Sequence, residues 1–319
     1  LDFILLLLGF AFLIFGADKL VDGASSLASK FGIPNIVIGL TVVAFGTSAP
    51  ELFVNFVAAV NGNTQMVLGN VIGSNIFNVL VILGICSLFY PIAVKRNTTW
   101  LEIPLSLLAG LMVLIISNDI FLDKTSSNII SSSDGIILFC FFLIFHVYTM
   151  EVAKSETSDE QFETKDYSKP KSVLFIIIGL AGLVLGGELI VTNAVRIASD
   201  FGISERIIAL TIVSTGTSLP ELVTSIVAVR KKNVDIALGN IVGSNIFNIF
   251  FILSISAFIT PLTVEDSNQT EIYVNIYANI LLFLFIFVGK GRKIERWEGI
   301  ILIISYLLYI FVLIYNIQF

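Results

Sequence analysis

A single pattern occurs twice in this chain, 170 residues apart. Gly46-Thr47-Ser48-Ala49-Pro50-Glu51 recurs as Gly216-Thr217-Ser218-Leu219-Pro220-Glu221. Downstream, Leu68-Gly69-Asn70 and Gly73-Ser74-Asn75-Ile76-Phe77-Asn78 recur as Leu238-Gly239-Asn240 and Gly243-Ser244-Asn245-Ile246-Phe247-Asn248. About half the positions of 31–80 and 201–250 are identical, without a gap. Each copy sets one carboxylate among hydroxyls and amides inside a strongly apolar stretch. Polar groups at that depth are costly and call for a functional reason. A polar-interrupted hydrophobic segment that occurs in both halves of a chain marks the substrate site of a transporter.

The surrounding sequence is a succession of apolar runs. Of the 319 residues, 56% are hydrophobic and 13% charged, with a mean hydropathy of +0.96. At roughly 20 apolar residues per crossing, ten spans are expected: 2–22, 34–60, 65–90, 101–117, 134–150, 172–193, 204–229, 234–260, 271–289 and 297–317. The runs are continuously apolar rather than alternating, which argues against a β-barrel. The first lacks a basic leader and belongs to the repeat, so it reads as a true helix rather than a signal peptide. The net charge of −6 comes largely from the acidic run between Glu151 and Asp166. The organisation expected is a first five-helix repeat over 1–150, a flexible cytoplasmic linker over 151–171, and a second five-helix repeat over 172–319. Cys86 and Cys140 lie in apolar runs and read as small buried apolar residues. His146 lies far from the motifs and reads as an ordinary residue of the fifth span.

Lysine and arginine placement sets the orientation. The odd-numbered loops hold Lys30, Lys95, Arg96, Lys154, Lys165, Lys169, Lys171, Arg230, Lys231, Lys232, Lys290, Arg292, Lys293 and Arg296. The even-numbered loops hold only Lys124, Arg196 and Arg206. By the positive-inside rule the odd loops are cytoplasmic and both termini outside. An odd number of helices per repeat then gives the halves opposite orientations. The fold class expected is an all-α polytopic membrane protein of ten transmembrane helices, arranged as two inverted five-helix repeats.

Within each motif the glycine can close one half-helix, because it tolerates the left-handed conformation. Thr47 or Ser48 can cap the next segment, and Pro50 suits a first turn. Glu51 falls in that turn, as Glu221 does in the second copy. The second and seventh helices are therefore expected to break near mid-bilayer. Carbonyls freed around Ala44 and Gly46, and Ser214 in the second copy, would face a cavity. A plainer reading takes Ser48-x-x-Glu51 and Ser218-x-x-Glu221 as capping boxes. A buried carboxylate at equivalent positions of both copies is a costly way to cap a kink. Asn70, Ser74 and Asn78, spaced i, i+4 and i+8, form one polar stripe. The pairs Gly69/Gly73 and Gly239/Gly243 would let their helices approach another closely, with the amides bonding between helices or binding a ligand. Asp18 and Glu188, equivalent across the repeat, read as span-boundary residues. Oxygen-only donors with no His or Cys select a hard cation such as Ca²⁺ or Na⁺.

The sequences GTSAPE/GTSLPE followed by GNVIGSNIFN/GNIVGSNIFN resemble the α-repeats of the sodium/calcium exchangers, of the cation/Ca²⁺ antiporter superfamily. The resemblance covers both motif pairs and the ten-span layout. It implies that Glu51 and Glu221 coordinate Ca²⁺. It further implies that Thr47, Ser48 and Ser74, with their equivalents Thr217, Ser218 and Ser244, bind Na⁺ together with the carbonyls of Ala44 and Ser214. The fold implied is a core of helices 2, 3, 7 and 8, with long helices 1 and 6 sliding across it. Many family members carry an aspartate where this chain has Asn248, and potassium-dependent relatives have acids at both Asn78 and Asn248. With two amides here, the central site has two carboxylates, which balance one Ca²⁺.

The leading expectation is a secondary antiporter exchanging Ca²⁺ for Na⁺ by alternating access. Ca²⁺/H⁺ or Na⁺/H⁺ exchange on the same scaffold is the alternative, since a glutamate can carry a proton. A passive channel would place its carboxylates in an oligomeric ring, which two non-equivalent repeats in one chain do not form. No nucleophile–base pair, cofactor motif or ATP-binding motif stands out, so neither an enzyme nor a primary pump is expected. The partners expected are membrane lipids, Ca²⁺, Na⁺ and protons, without nucleic acid, for a protein functional as a monomer. The short linker and lack of an appended domain point to a prokaryotic plasma membrane.

Overall fold

In the computed structural model, residues 2–155, 165–201, 214–288 and 291–318 are described. They are almost wholly helical. The long elements are α1 (Asp2–Phe31), α2 (Asn35–Thr47), α3 (Ala49–Val60), α4 (Thr64–Phe89), α5 (Thr98–Ile116), α6 (Ser132–Lys154), α7 (Lys169–Asp200), α8 (Leu219–Arg230), α9 (Val234–Ile259), α10 (Asn268–Val288) and α11 (Arg296–Leu313). Among the described residues, eight are long and apolar enough to cross a membrane. The pair α2 and α3, bent by 48° at Ser48, makes a ninth candidate. Much of the first half of the expected seventh span, including Arg206, lies outside the described residues, as does most of the acidic run 156–164.

α1 and α7 run past their expected ends at 22 and 193. In α1 the charged residues near the expected end are paired. Lys231 Nζ lies 2.6 Å from Asp18 Oδ1 and 2.6 Å from Asp22 Oδ1. Lys165 reaches Asp22 Oδ2 at 2.9 Å, and the neighbouring carboxylate holds the Lys165 ammonium above the usual lysine range. Paired charges can sit along a helix that unpaired ones would end. The last residues of the expected linker are thereby docked on α1, where Tyr167 N also donates to Ser26 Oγ.

The chain divides into two compact units, each drawing on both halves of the sequence. One comprises 1–50 and 146–244, the other 51–145 and 245–319. In the first unit α1 and α7 pack antiparallel along a glycine face. Gly9, Gly16 and Gly23 recur every seven residues and meet Gly186, Gly179 and Ser172. A Cβ on Gly16 would stand 2.7 Å from the Gly179 carbonyl oxygen and from Leu183 N. Such backbone-to-backbone packing replaces the hydrophobic drive that lipid cannot supply. The expected Gly239/Gly243 pair behaves the same way: added Cβ atoms would press on Ile36, Leu40 and Ala44 of α2. The positions equivalent to Ile36 and Leu40 in the second copy, 206 and 210, lie outside the described residues.

In the second unit α5 and α10 run antiparallel, tied by Ser106 Oγ donating to Asn279 Oδ1 at 2.8 Å. Two short antiparallel pairings, Ile92–Ala93 with Lys293–Ile294 and Ile129–Ile130 with Leu262–Thr263, tie its loops. The spanning windows of α4 and α9 are 78% and 83% buried, against 17–44% elsewhere, so the two motif-bearing helices are the most enclosed. Cys86 is buried as expected. Cys140, in contrast, is exposed on α6, whose window is only 22% buried.

Candidate functional site

The break between α2 and α3 falls at Ser48 (φ −83°, ψ 8°), and its repeat equivalent Ser218 has the same backbone (φ −89°, ψ 4°). Gly46 does not cap a half-helix in the left-handed conformation; α2 continues through it to Thr47. Its small size serves packing instead: a Cβ there would crowd the end of the Leu180 side chain of α7, as one on Gly216 would crowd Val191. Pro220 stands in the first turn of α8, as the motif predicts, and Glu221 follows it. The Ser218 side chain makes no capping bond, which removes the capping-box reading for the second copy.

The first unit gathers several of the expected site residues into one buried network. Ser48 Oγ lies 2.8 Å from Glu221 Oε1 and 3.0 Å from Ser244 Oγ. Ser48 is the donor in both contacts, and because a hydroxyl has one proton it serves the carboxylate and Ser244 in turn. Thr47 Oγ1 lies 2.9 Å from Asn240 Oδ1 and 3.3 Å from the Ala44 carbonyl oxygen. That carbonyl also accepts Ser48 N–H at 3.0 Å, so it is engaged rather than freed, with a lone pair to spare. Thr47, Ser48, Glu221 and Ser244 are each at most 1% exposed. Glu221 Oε2 has no hydrogen-bond partner among the described residues. A buried carboxylate oxygen in that state is costly unless a proton or cation meets it. Ser218 is buried and Thr217 half-buried in the same unit. Ser214 opens the short turn Ser214–Gly216, and its side chain lies outside the described residues.

The second unit holds Glu51, Ser74, Asn78 and Asn248, all buried. Glu51 lies in the first turn of α3, its carbonyl accepting Asn55 Nδ2 at 2.7 Å. Asn75 Nδ2 donates to the Asn245 carbonyl at 3.1 Å, and Asn245 Nδ2 to the Asn75 carbonyl at 3.4 Å. Asn78 Nδ2 donates to Asn245 Oδ1 and Asn248 Nδ2 to Asn75 Oδ1, each at 3.0 Å. The four amides thus form a reciprocal set. The oxygens Oδ1 of Asn78 and Asn248 accept nothing among the described residues, which leaves them as candidate cation ligands. At each of these asparagines the helix widens into π-type turns, Asn78–Leu83 and Asn248–Leu253, a distortion frequent at functional sites.

Sequence reasoning did not assign site roles to Asn75, Asn245, Asn240, Ser225 or Asn55. The first three lie inside the repeated motifs, so the repetition itself was the available signal. Ser225 and Asn55 are equivalent across the repeat but differ in identity, and nothing in the sequence marked them. The described residues hold no group of three or more His, Cys, Asp or Glu side chains suited to a metal. The donors gathered are carboxylate, hydroxyl and amide oxygens, the chemistry of a hard cation.

Buried oxygen donors at the break within a bent helical span, in a chain with eight further membrane-length helices among the described residues, define a multi-span membrane protein of the ion-transporter class. The sequence profile described as "Sodium/calcium exchanger protein" matches residues 1–150 and 171–315, and the chain belongs to that family. It is 33% identical over 346 residues to the sodium/calcium exchanger MaX1 of Methanosarcina acetivorans, covering 98% of this chain and 99% of that one. It is 34% identical over 307 residues to the inner membrane protein YrbG of Escherichia coli, covering 93% and 92%. Its structure resembles that of the sodium-calcium exchanger NCX_Mj soaked with Na⁺ and Sr²⁺, with a TM-score of 0.83 and 33% identity over 97% of each chain. The family is one of exchangers, not of enzymes, which supports cation/Ca²⁺ exchange as the activity.

Proposed function

We propose that the protein is a plasma-membrane antiporter that moves Ca²⁺ against Na⁺ by alternating access. In this reading Glu51 and Glu221 hold Ca²⁺, with Asn78 and Asn248 contributing amide oxygens. Thr47, Ser48, Ser74, Thr217, Ser218 and Ser244 hold Na⁺, with the carbonyls of Ala44 and Ser214. The observation that carries it is the buried Ser244–Ser48–Glu221 chain. There a carboxylate leaves one oxygen unmatched beside hydroxyls that can turn to present lone pairs to a cation.

The architecture proposed is ten spans in two inverted five-helix halves, 1–150 and 172–319, with both termini outside and 151–171 cytoplasmic. The reciprocal amide exchange between Asn75 and Asn245 supports it, since equivalent residues related by a pseudo-two-fold axis make mutual contacts. Two ionised glutamates neutralise one Ca²⁺, and the oxygen cage of threonines and serines favours Na⁺ over a proton as the coupling ion. The protein would work as a monomer within the lipid. The deciding experiment is ⁴⁵Ca²⁺ uptake into proteoliposomes driven by an outward Na⁺ gradient. Uptake that follows the Na⁺ gradient supports the reading; uptake that ignores it overturns it.

A further inference from the structure

We propose that Asn240 is a positioning residue of the cation site: it accepts the Thr47 hydroxyl hydrogen bond so that Thr47 Oγ1 presents only lone pairs to Na⁺. The proposal rests on the exchange reading above. A hydroxyl can ligate a cation only when its own proton points elsewhere, to an acceptor that is not itself a ligand. The Thr47 hydroxyl faces three acceptors, one of them the carboxylate of Glu221, itself a proposed Ca²⁺ ligand. The Ala44 carbonyl, at 3.3 Å, is a proposed Na⁺ ligand and already accepts Ser48 N–H. A second proton there would compete with the ion. Asn240 Oδ1, at 2.9 Å, is free of that conflict.

The amide cannot turn over. Its Nδ2 donates to the Glu221 carbonyl at 3.3 Å and to Ser225 Oγ at 3.0 Å. A flip would set Oδ1 against the carbonyl and lose the acceptor that Thr47 needs. Asn240 and Ser225 are fully buried, so water does not stand in for either group. The two copies of the repeat hold the glutamate carbonyl differently. In the first copy, Asn55 reaches back along its own helix to the Glu51 carbonyl at 2.7 Å. Its equivalent is Ser225, which carries no amide, and Asn240 supplies the amide from the neighbouring helix. One side chain therefore ties the backbone of the Glu221 carboxylate to the hydroxyl orientation of Thr47.

The test is Ca²⁺ binding to the purified full chain by calorimetry, repeated at rising Na⁺, for wild type, Asn240→Ala, Asn240→Leu and Asn240→Asp. Asn240→Leu fills nearly the same volume and serves if the alanine variant does not fold. Loss of one oriented hydrogen bond predicts that about tenfold more Na⁺ is needed to displace Ca²⁺. Ca²⁺ affinity without Na⁺ should change less than about threefold. Asn240→Asp keeps an acceptor for Thr47 but sets its second oxygen against the Glu221 carbonyl, so it should retain more of the Na⁺ competition than Asn240→Ala while lowering stability. In a Thr47→Val background, Asn240→Ala should add less than about threefold, because the group it orients is gone. Equal weakening of Na⁺ and Ca²⁺, or an undiminished effect in the Thr47→Val background, would reduce Asn240 to structural support and overturn the proposal alone. Wild-type Ca²⁺ binding that Na⁺ does not displace would instead remove the exchange reading and this proposal with it.

Discussion

Asn75 and Asn245 hold one another through their backbones: the Nδ2 of each donates to the carbonyl oxygen of the other, at 3.1 and 3.4 Å. Their own amide oxygens are then taken by Asn78 and Asn248. The set is closed on its donor side, and this accounts for amides rather than acids at 78 and 248. An aspartate at either place would set a carboxylate oxygen against an amide oxygen. Turning Asn245 to compensate would bring its oxygen against the Asn75 carbonyl.

Asn78→Asp and Asn248→Asp should each lower stability by about 1–3 kcal/mol, the cost of leaving buried acceptors unmatched. Thermal unfolding in detergent measures it. A variant as stable as the wild type would show that the amides do not hold the two helices together.

Glu51→Gln and Glu221→Gln should each reduce Ca²⁺ flux to near background while leaving the fold intact. Each deletes a charge that a divalent cation needs, and a neutral amide is cheaper to bury. Flux is read in proteoliposomes and folding by gel filtration. Near-normal flux from either folded variant would remove that glutamate from the site.

Gly16→Ala should be costly despite adding a single methyl group. The new Cβ would meet backbone atoms of α7, which cannot rotate away as a side chain can. Overpacking of this kind costs about 1–3 kcal/mol. By contrast Gly62 has φ +71° with nothing within 4 Å among the described residues, so an alanine there tests conformation rather than contact. Comparing the unfolding temperatures of the two variants separates these causes.

The parts legible in the sequence were those where polar residues interrupt apolar runs. Glu51, Glu221, Ser48 and Ser244 stood out because burial in lipid makes them expensive, and the repeat doubled the signal. The break at Ser48 was legible too, but its mechanism was not. Gly46 was read as a flexible cap, whereas its missing side chain makes room for Leu180, a contact between distant segments. The extent of α1 was missed because Asp18 reads as a span boundary until Lys231 is brought to it. The heptad of Gly9, Gly16 and Gly23 was visible in the sequence, but only its partner helix gives it meaning. The direction of each asparagine amide depends on neighbours in space, so Asn240 could be seen as repeated and not as a positioning group.

Orientation can be tested at exposed residues of two described loops. A cysteine at Ser168 should react with a membrane-impermeant maleimide only from the cytoplasmic side, and one at Ser126 only from outside, in a background lacking Cys86 and Cys140. The lysine and arginine distribution sets this expectation. Labelling of both from one face would refute the inverted arrangement.

The coupling ion is the most exposed part of the functional reading. Amides at 78 and 248 carry no charge for a co-transported K⁺ to balance, so Ca²⁺ flux should persist when K⁺ is replaced by choline. Protons should act only as competitors. Protonating Glu51 or Glu221 removes charge that Ca²⁺ requires, so lowering the pH should weaken Ca²⁺ binding. A pH gradient alone should drive little Ca²⁺ uptake, because a proton makes no use of the hydroxyls of Thr47, Ser48 and Ser244. Liposomes loaded with Na⁺, with K⁺, or at a different internal pH separate the three cases. Collapse of flux without K⁺ would assign K⁺ a place in the cycle. A pH gradient that drives Ca²⁺ as well as the Na⁺ gradient would make the protein a Ca²⁺/H⁺ exchanger on the same scaffold.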